Sequence, residues 1–228
     1  MGTLSNVTQI SARGSHTCAL LTDHTVDCWG YNYYGQLGNG TTNPSPPYGV
    51  ATPVQVKDAA GMGTLANVTQ INAGYHHTCA LLTDQTVECW GNNGGGQLGN
   101  GTTTNSSTPV QVKDAAGTST LSNVTQVSAG SNHTCALSSG GTVECWGANW
   151  DGSLGNGTTT DSSTPVQVKD IAGTGTLSNV TQTSAGYNHT CALLTDHTVE
   201  CWGYNYYGQL GNGERGYRTT PAGVIGLP

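Results

Sequence analysis

The sequence predicts an all-β protein made of four similar units that follow one another along the chain. The 228 residues include 34 glycines and no phenylalanine, and only 8% are charged, so turn-forming and β-branched residues outnumber helix formers. No stretch has the apolar periodicity of an amphipathic helix. One segment, Cys18 to Gly30, recurs with its ends at Cys79 and Gly91, Cys135 and Gly147, and Cys191 and Gly203.

Each recurring segment has the pattern of a β-hairpin. Two short apolar runs flank a turn, which is Thr22-Asp23-His24 in the first unit. Pairing centred on this turn places Leu20 opposite Val26 and Cys18 opposite Cys28, with both sulfurs on one face. The pattern therefore predicts one disulfide inside each hairpin: Cys18 to Cys28, Cys79 to Cys89, Cys135 to Cys145 and Cys191 to Cys201.

A zinc site is the competing interpretation of the cysteines, because a histidine precedes the first cysteine of every unit by two residues. Structural zinc usually gathers close pairs of cysteines, whereas here nine residues separate the two cysteines of a unit. We therefore favour disulfides, with reduced core thiols as a third reading, and expect no metal and no cofactor. The histidines concerned are His16, His77, His133 and His189.

Each unit also contains a first and a last strand outside the hairpin. In the first unit the segment Gly2 to Gln9, followed by small residues, predicts the first strand, and Thr52 to Val56 predicts the last. Four short strands per repeat are typical of a β-propeller blade. We predict blades of four antiparallel strands in a single repeat domain over residues 1–228, at approximately 1–57, 62–113, 118–169 and 174–228.

The repeat resembles the regulator of chromosome condensation repeat. The shared features are the histidine before Cys-Ala-Leu, the Val-x-Cys-Trp-Gly ending, Gly-Gln-Leu-Gly and a closing Thr-Pro-Val. Gly-Gln-Leu-Gly stands at 35–38, 96–99 and 208–211, and the third unit departs from it at Ser153. The resemblance implies a β-propeller, which has seven blades in the best-known members of the family, whereas this chain supplies four.

The resemblance leaves the function open, because members of the family differ in what they bind. The founding member activates nucleotide exchange on a small GTPase and contacts chromatin, and another relative is a secreted bacterial inhibitor of β-lactamase. A net charge of −7 without a basic patch argues against nucleic-acid binding. We expect no enzymatic activity, since no Ser, Asp or Glu accompanies the histidines at a catalytic spacing.

Cysteine usage indicates an oxidising compartment, so we expect an extracellular or cell-surface protein. The first residues form no signal peptide, and no apolar run is long enough to span a membrane as a helix, so we expect no membrane insertion. Met62 to Leu65 repeat the four residues Met1 to Leu4 without change, and this internal copy suggests a segment of a longer protein.

Two kinds of loop are candidate binding sites for a protein or a glycan. The first unit has five extra residues in a loop at 43–51, and insertions in repeats map to loops on one face. Aromatic side chains in the loops after Trp-Gly suit contact with a partner, although packing between blades would also explain them. The candidates are Tyr31, Tyr33, Tyr34, Pro46, Pro47, Tyr48, Trp150, Tyr204, Tyr206 and Tyr207.

Sequons for N-glycosylation recur through the chain. Asn-Gly-Thr at Asn39, Asn100 and Asn156 reads first as a turn, whereas Asn-Val-Thr lies in a strand-like segment and is the better position for a periodic glycan. The candidates for glycosylation are Asn6, Asn67, Asn123, Asn179, Asn132 and Asn188.

These features favour a non-enzymatic extracellular interaction module that associates with itself through its terminal blades. A propeller blade is apolar on both faces, so four blades in an open arc leave two apolar faces in water. A tight four-bladed ring, two chains completing one larger ring, or a fibre would each cover them, and we favour completion between chains. The alternative function is a soluble binding propeller that recognises a protein or glycan through its variable loops.

Overall fold

The computed structural model describes residues 2–226 and contains sixteen strands in four antiparallel sheets. Each sheet takes four consecutive strands in chain order, which confirms the predicted blades. Blade 1 contains β1 (Val7–Arg13), β2 (His16–Leu21), β3 (Val26–Tyr31) and β4 (Gly49–Gln55). Blade 2 contains β5 (Val68–Ala73), β6 (His77–Leu82), β7 (Val87–Gly91) and β8 (Ser106–Gln111). Blade 3 contains β9 (Val124–Ala129), β10 (His133–Ser138), β11 (Val143–Gly147) and β12 (Ser162–Gln167). Blade 4 contains β13 (Val180–Ala185), β14 (His189–Leu194), β15 (Val199–Gly203) and β16 (Arg218–Gly223).

The hairpin register is the one that the cysteine spacing predicts. In blade 1, Cys18 pairs with Cys28 and Leu20 pairs with Val26. All four hairpins carry the expected internal disulfide, and no cysteine of the described residues is free. The zinc and free-thiol readings of the cysteines are therefore wrong.

The first and last strands of blade 1 have other limits than the sequence predicts. The first strand starts at Val7 rather than Gly2 and runs on through the small residues to Arg13. Asn6 ends the preceding segment in a left-handed conformation, with φ of 59°, which an asparagine tolerates better than most residues. The last strand starts at Gly49, so the end of the loop predicted at 43–51 is part of the sheet.

Each blade has two different faces, and neighbouring blades stack face to face. The leading face carries the disulfide and the leucine and valine of the hairpin, and the trailing face carries the tryptophan that follows the second cysteine. Between blades 1 and 2, Cys18, Cys28 and Leu37 of the leading face pack on Ile71 and Trp90 of the trailing face. The other two junctions contain equivalent residues. The core of the molecule is therefore a row of three such interfaces.

The two ends of the blades are also different. Strands alternate in direction, so the hairpin turns and the connections between blades lie at one end, which we call the turn end. The connections from the first to the second strand and from the third to the fourth lie at the other, which we call the loop end. Across residues 2–226 there is no helix with the length and hydropathy needed to cross a membrane.

We expect the disulfides to contribute unequally to stability. Replacing both Cys135 and Cys145 by Ala should lower the free energy of unfolding by about 2–3 kcal/mol for the lost crosslink of a short loop, plus a packing cost at the interface with blade 4. Replacing Cys191 and Cys201 should cost the crosslink and less packing, because Cys201 is buried but Cys191 is only half-buried, on a face that no blade of residues 2–226 covers. Urea unfolding of the two double variants measures the difference, and equal losses would contradict the packing contribution.

Candidate interaction surfaces at the two open faces

One backbone carbonyl organises each junction between blades. The Gln36 carbonyl of blade 1 accepts hydrogen bonds from the Trp90 indole Nε1, at 3.0 Å, and from the Thr78 hydroxyl, at 2.9 Å, both in blade 2. Gln97 does the same for blade 3, and Ser153 does so for blade 4. Because the acceptor is main chain, the departure from Gly-Gln-Leu-Gly at Ser153 does not change the junction.

The histidine that recurs before the first cysteine of each unit belongs to the same network. His16 Nε2 lies 2.9 Å from the hydroxyl oxygen of Thr78 in the next blade, and His77 and His133 make the same contact. The Thr78 hydroxyl hydrogen is used on the Gln36 carbonyl, so the oxygen accepts from a protonated Nε2. The partner of each of these histidines is therefore a side chain of the next blade rather than a group of its own blade.

Burial lowers the pKa of these rings, to about 3 for His77 and His133 and to about 4 for His16. The desolvation of the charged form is the main cause, and the buried Nδ1 atoms of His16 and His77 have no hydrogen-bond partner among the described residues. The neutral imidazole is therefore the form that the junction holds. Among residues 2–226, no three His, Cys, Asp or Glu side chains are grouped closely enough to bind a metal ion.

Side chains of the first strand make a second set of contacts across the junction. Gln9 Oε1 accepts the Ile71 N–H at 3.0 Å, and Ser11 Oγ accepts the Ala73 N–H at 2.9 Å. The same pair of bonds recurs at the next two junctions. In blades 2, 3 and 4, two backbone N–H groups of the first strand are thus bonded by side chains of the blade before.

The leading face of blade 4 carries the same residues, but within residues 2–226 no blade follows it. Leu193 is half-buried there, whereas Leu81 of blade 2 is 6% exposed. Val224 is 42% exposed, whereas Val56 at the same position of blade 1 is fully buried. Gln182 and Ser184, the counterparts of Gln9 and Ser11, are both exposed.

The trailing face of blade 1 is the complementary open face. Ile10 is 69% exposed, whereas Ile71 at the equivalent position is fully buried. Val7 is 37% exposed, and Trp29 is only half-buried. Blade 1 therefore presents the tryptophan and threonine donors of a junction, and blade 4 presents the acceptors.

The two open faces also carry the counterparts of a recess and of the glycine that fills it at the internal junctions. A cavity of about 330 Å³ on blade 1 is lined by residues that include Gly30, Val50 and Ala51. At each internal junction a glycine of the preceding blade occupies the corresponding position: a Cβ on Gly35 would lie 2.6 Å from the Cα of Ser107, the counterpart of Ala51. In blade 4 the corresponding glycine, Gly208, has φ of 82° and nothing within 4 Å of its Cβ position.

Arg13 is a feature that the sequence analysis missed. Its Nη1 donates to the carbonyl oxygens of Ala129 and Ala185, each at 2.9 Å, so it ties blade 1 to blades 3 and 4. Burial lowers the pKa of this guanidinium. The other blades have glycine here, and a Cβ on Gly130 would lie 2.3 Å from the His133 ring. The sequence feature that could have indicated this role is the arginine of the first unit at a position where the other three units have glycine.

The predicted binding residues all lie at the loop end. Tyr31 and Tyr34 contact His76 of blade 2, with ring centroids 5.5 and 5.1 Å apart, so the packing interpretation holds for these two in part. Tyr33 and Tyr48 contact aromatic rings of their own blade and are each 41% exposed. Pro46 and Pro47 lie beside them and are exposed. The structure keeps the remaining candidates apart from this group, on blades 3 and 4: Trp150, Tyr204, Tyr206 and Tyr207.

The sequons differ in accessibility. The Asn-Val-Thr asparagines are exposed, and each stands just before the first strand of its blade rather than within it: Asn6, Asn67, Asn123 and Asn179. Asn132 is half-buried, and the side chain of half-buried Asn188 donates to Asp151 at 3.1 Å. Asn39, Asn100 and Asn156 accept the backbone N–H two residues on, which confirms the turn reading.

The architecture and its junctions define an array of four β-propeller blades stacked face to face. Models of the regulator of chromosome condensation (RCC1) repeat match residues 23–81, 87–137 and 141–193, and a second such model matches 7–36, 68–97, 124–152 and 180–209. The chain belongs to this repeat family, as its motifs predict.

Two relatives with similar sequences are longer than this chain. It is 32% identical over 216 residues to the ultraviolet-B receptor UVR8 of Arabidopsis thaliana, covering 94% of this chain and 45% of the receptor. It is 32% identical over 221 residues to the probable E3 ubiquitin-protein ligase HERC3 of Homo sapiens, covering 96% of this chain and 20% of the ligase.

Two solved structures share the fold. Human WBSCR16 superposes with a TM-score of 0.78 at 25% identity, covering 96% of this chain and 52% of the other. Yeast RCC1 (Prp20), in a structure with Kap60 bound, superposes with a TM-score of 0.75 at 26% identity, covering 97% of this chain and 49% of the yeast chain. The chain thus spans about half the length of these relatives or less. The family is one of protein-interaction modules.

The buried histidines make the stability of the fold dependent on pH. Their pKa values are lowered on folding, so the unfolded chain binds more protons between about pH 6.5 and pH 4, and stability falls as the pH falls through this range. Each such histidine contributes at most about 1.4 kcal/mol per pH unit. Burial raises the pKa of Glu88, Glu144 and Glu200. The protonation of these carboxylates favours the folded state and so opposes the loss of stability at the acidic end of this pH range.

Urea unfolding between pH 7 and pH 5 measures this dependence. His133→Gln keeps an N–H donor for Thr190 but cannot titrate. The slope of its unfolding free energy against pH should therefore correspond to the uptake of about one proton fewer on unfolding than in the wild-type chain. His197→Gln is the control, because His197 is exposed. An unchanged slope in His133→Gln would contradict the assignment of the neutral ring to the junction.

Proposed function

We propose that this chain is a non-enzymatic interaction module that associates with itself head to tail, the leading face of blade 4 meeting the trailing face of blade 1 of a second copy. The observation that carries the proposal is the junction that recurs three times inside the chain, whose two halves stand open at the two ends. Such contacts between different faces generate a closed ring or a filament, depending on the rotation at each contact.

The two open faces offer matching groups. The Gln209 carbonyl of blade 4 corresponds to that of Gln36, and Trp29 and Thr17 of blade 1 correspond to its donors Trp90 and Thr78. His189 corresponds to His16 and is positioned for Thr17 of the partner copy. Burying these faces also removes Ile10 and Val224 from water, which favours association by the hydrophobic effect.

An extracellular location is part of the proposal. Support comes from the four disulfides, which persist in oxidising compartments. The exposed Asn-Val-Thr sequons are compatible with a glycan on each blade. In a glycosylating host, removal of N-glycans by a glycosidase should lower the mass of the protein, and an unchanged mass would leave the turn reading for every sequon.

Light scattering over about a hundredfold range of concentration tests the association. We expect species larger than the 23.4 kDa monomer, increasing with concentration. Ile10→Glu places a charge in the centre of the trailing face and should weaken association at least about tenfold, while its exposed position leaves the fold intact. Ile171→Glu is the matched control, because Ile171 is 56% exposed and lies outside the open faces. A monomer at all concentrations would contradict the proposal.

A second variant tests the fit of the faces. Gly208→Ala adds a methyl group where the counterpart glycines meet the next blade at 2.6–2.8 Å, so it should block association, although nothing in the described chain lies within 4 Å. Gly216→Ala is the control, since Gly216 also has positive φ, of 99°, and open space. Equal association of these two variants would show that the blade 4 loop does not enter the blade 1 cavity.

A further inference from the structure

The loop end and the turn end differ in composition along the whole chain. All ten tyrosines lie at the loop end, in the connections there or at their margins. Ten carboxylates and the three lysines lie towards the turn end, and they account for the net charge of −7. The three carboxylates and three arginines of the loop end cancel, so that end is neutral.

The most compact group of tyrosines spans blades 1 and 2. We call Tyr31, Tyr33, Tyr34, Tyr48 and Tyr75, with His76, the tyrosine cluster. Tyr33 is at its centre, with ring centroids 4.9 Å from Tyr34 and 6.3 Å from both Tyr31 and Tyr48. His76 links the blades, with centroids 4.5 Å from Tyr75 and 5.1 Å from Tyr34. Mutual packing fixes the rings, so binding would cost little side-chain entropy.

Packing between blades does not account for the whole cluster. Tyr33, Tyr48 and Tyr75 are 41%, 41% and 38% exposed, so their rings support one another and still present surface to solvent. Keeping several aromatic rings exposed together is unfavourable unless they meet a ligand, and exposed aromatic groups of this kind mark binding sites.

The chemistry of the cluster selects its ligand. It contains no charged side chain, and its polar groups are phenol hydroxyls and an imidazole whose pKa is lowered by burial. A ligand that fits has flat apolar faces to stack on the rings, hydroxyl groups to bond the phenols, and no charge to leave unpaired. We propose that the tyrosine cluster binds a neutral oligosaccharide, whose pyranose rings combine these features.

The experiment measures retardation of the 228-residue protein in native gels that contain a neutral polysaccharide, using cellulose, mannan, xylan and chitin derivatives in soluble form as separate probes. We expect retardation by at least one of them, unchanged when the salt concentration is raised about tenfold, because screening weakens only charge interactions. Tyr33→Ala should weaken binding about tenfold, whereas Tyr33→Phe, which keeps the ring, should lose less.

Tyr217→Ala is the matched control, since Tyr217 is 49% exposed at the same end of the molecule but pairs with no other ring in the described chain. Each probe is repeated with Ile10→Glu, so that loss of association and loss of sugar binding are seen separately. Retardation that disappears at high salt, equal binding by Tyr33→Ala and Tyr217→Ala, or no retardation by any probe would overturn the proposal. The last outcome would favour a protein partner for the cluster.

Discussion

The structure depends on one buried carbonyl per junction, at Gln36, Gln97 and Ser153, which accepts an indole N–H and a threonine hydroxyl of the next blade. Both donors are buried, so losing the acceptor would leave two polar groups without a partner. The loop that carries the carbonyl is held in place by its glycines: a Cβ on Gly99 would lie 2.7 Å from the Trp146 indole nitrogen. The indole of Trp146 thus packs against the glycine loop, and the Gln97 carbonyl of that loop accepts the indole N–H. This mutual dependence explains why Trp-Gly and Gly-x-Leu-Gly recur together.

Much of the fold follows from the sequence, because the repeat shows the same local solution four times. Cysteine spacing and strand periodicity of two residues fix the register of each hairpin, so Cys18 opposite Cys28 could be predicted without any other information. The start of the first strand could not be predicted, since Gly2 to Asn6 recur in the other units together with the strand and carry no residue that marks a boundary by itself. Only the left-handed turn at Asn6 separates them.

The contacts between blades are the part that local reasoning missed. His16 and Thr78 are 62 residues apart, and within one repeat the histidine and threonine are simply neighbours. The sequence shows the repeated His-Thr pair. That the histidine of one blade contacts the threonine of the next could be seen only from the way in which successive blades stack. Arg13 was missed for a similar reason, since its acceptors Ala129 and Ala185 belong to blades that are distant in sequence. The location of the tyrosines at the loop end was predictable in outline, because each lies in or beside a connection between the first and second or the third and fourth strands of a blade.

The use of main-chain acceptors at the junctions leaves the loops free to differ between blades. Ser153 replaces glutamine without changing the carbonyl that Trp202 requires, at 2.9 Å. The residues that follow Trp-Gly can also differ without changing this carbonyl: Tyr31, Tyr33 and Tyr34 follow it in blade 1, whereas Asn92 and Asn93 follow it in blade 2. The buried contacts of a junction and the exposed side chains of the loop end are therefore largely carried by different residues of one repeat. Tyr31 and Tyr34 are the exceptions, because their rings also contact His76 of blade 2. Exposed Tyr33 and Tyr48 contact only aromatic rings of blade 1, so they can differ from blade to blade without changing a junction.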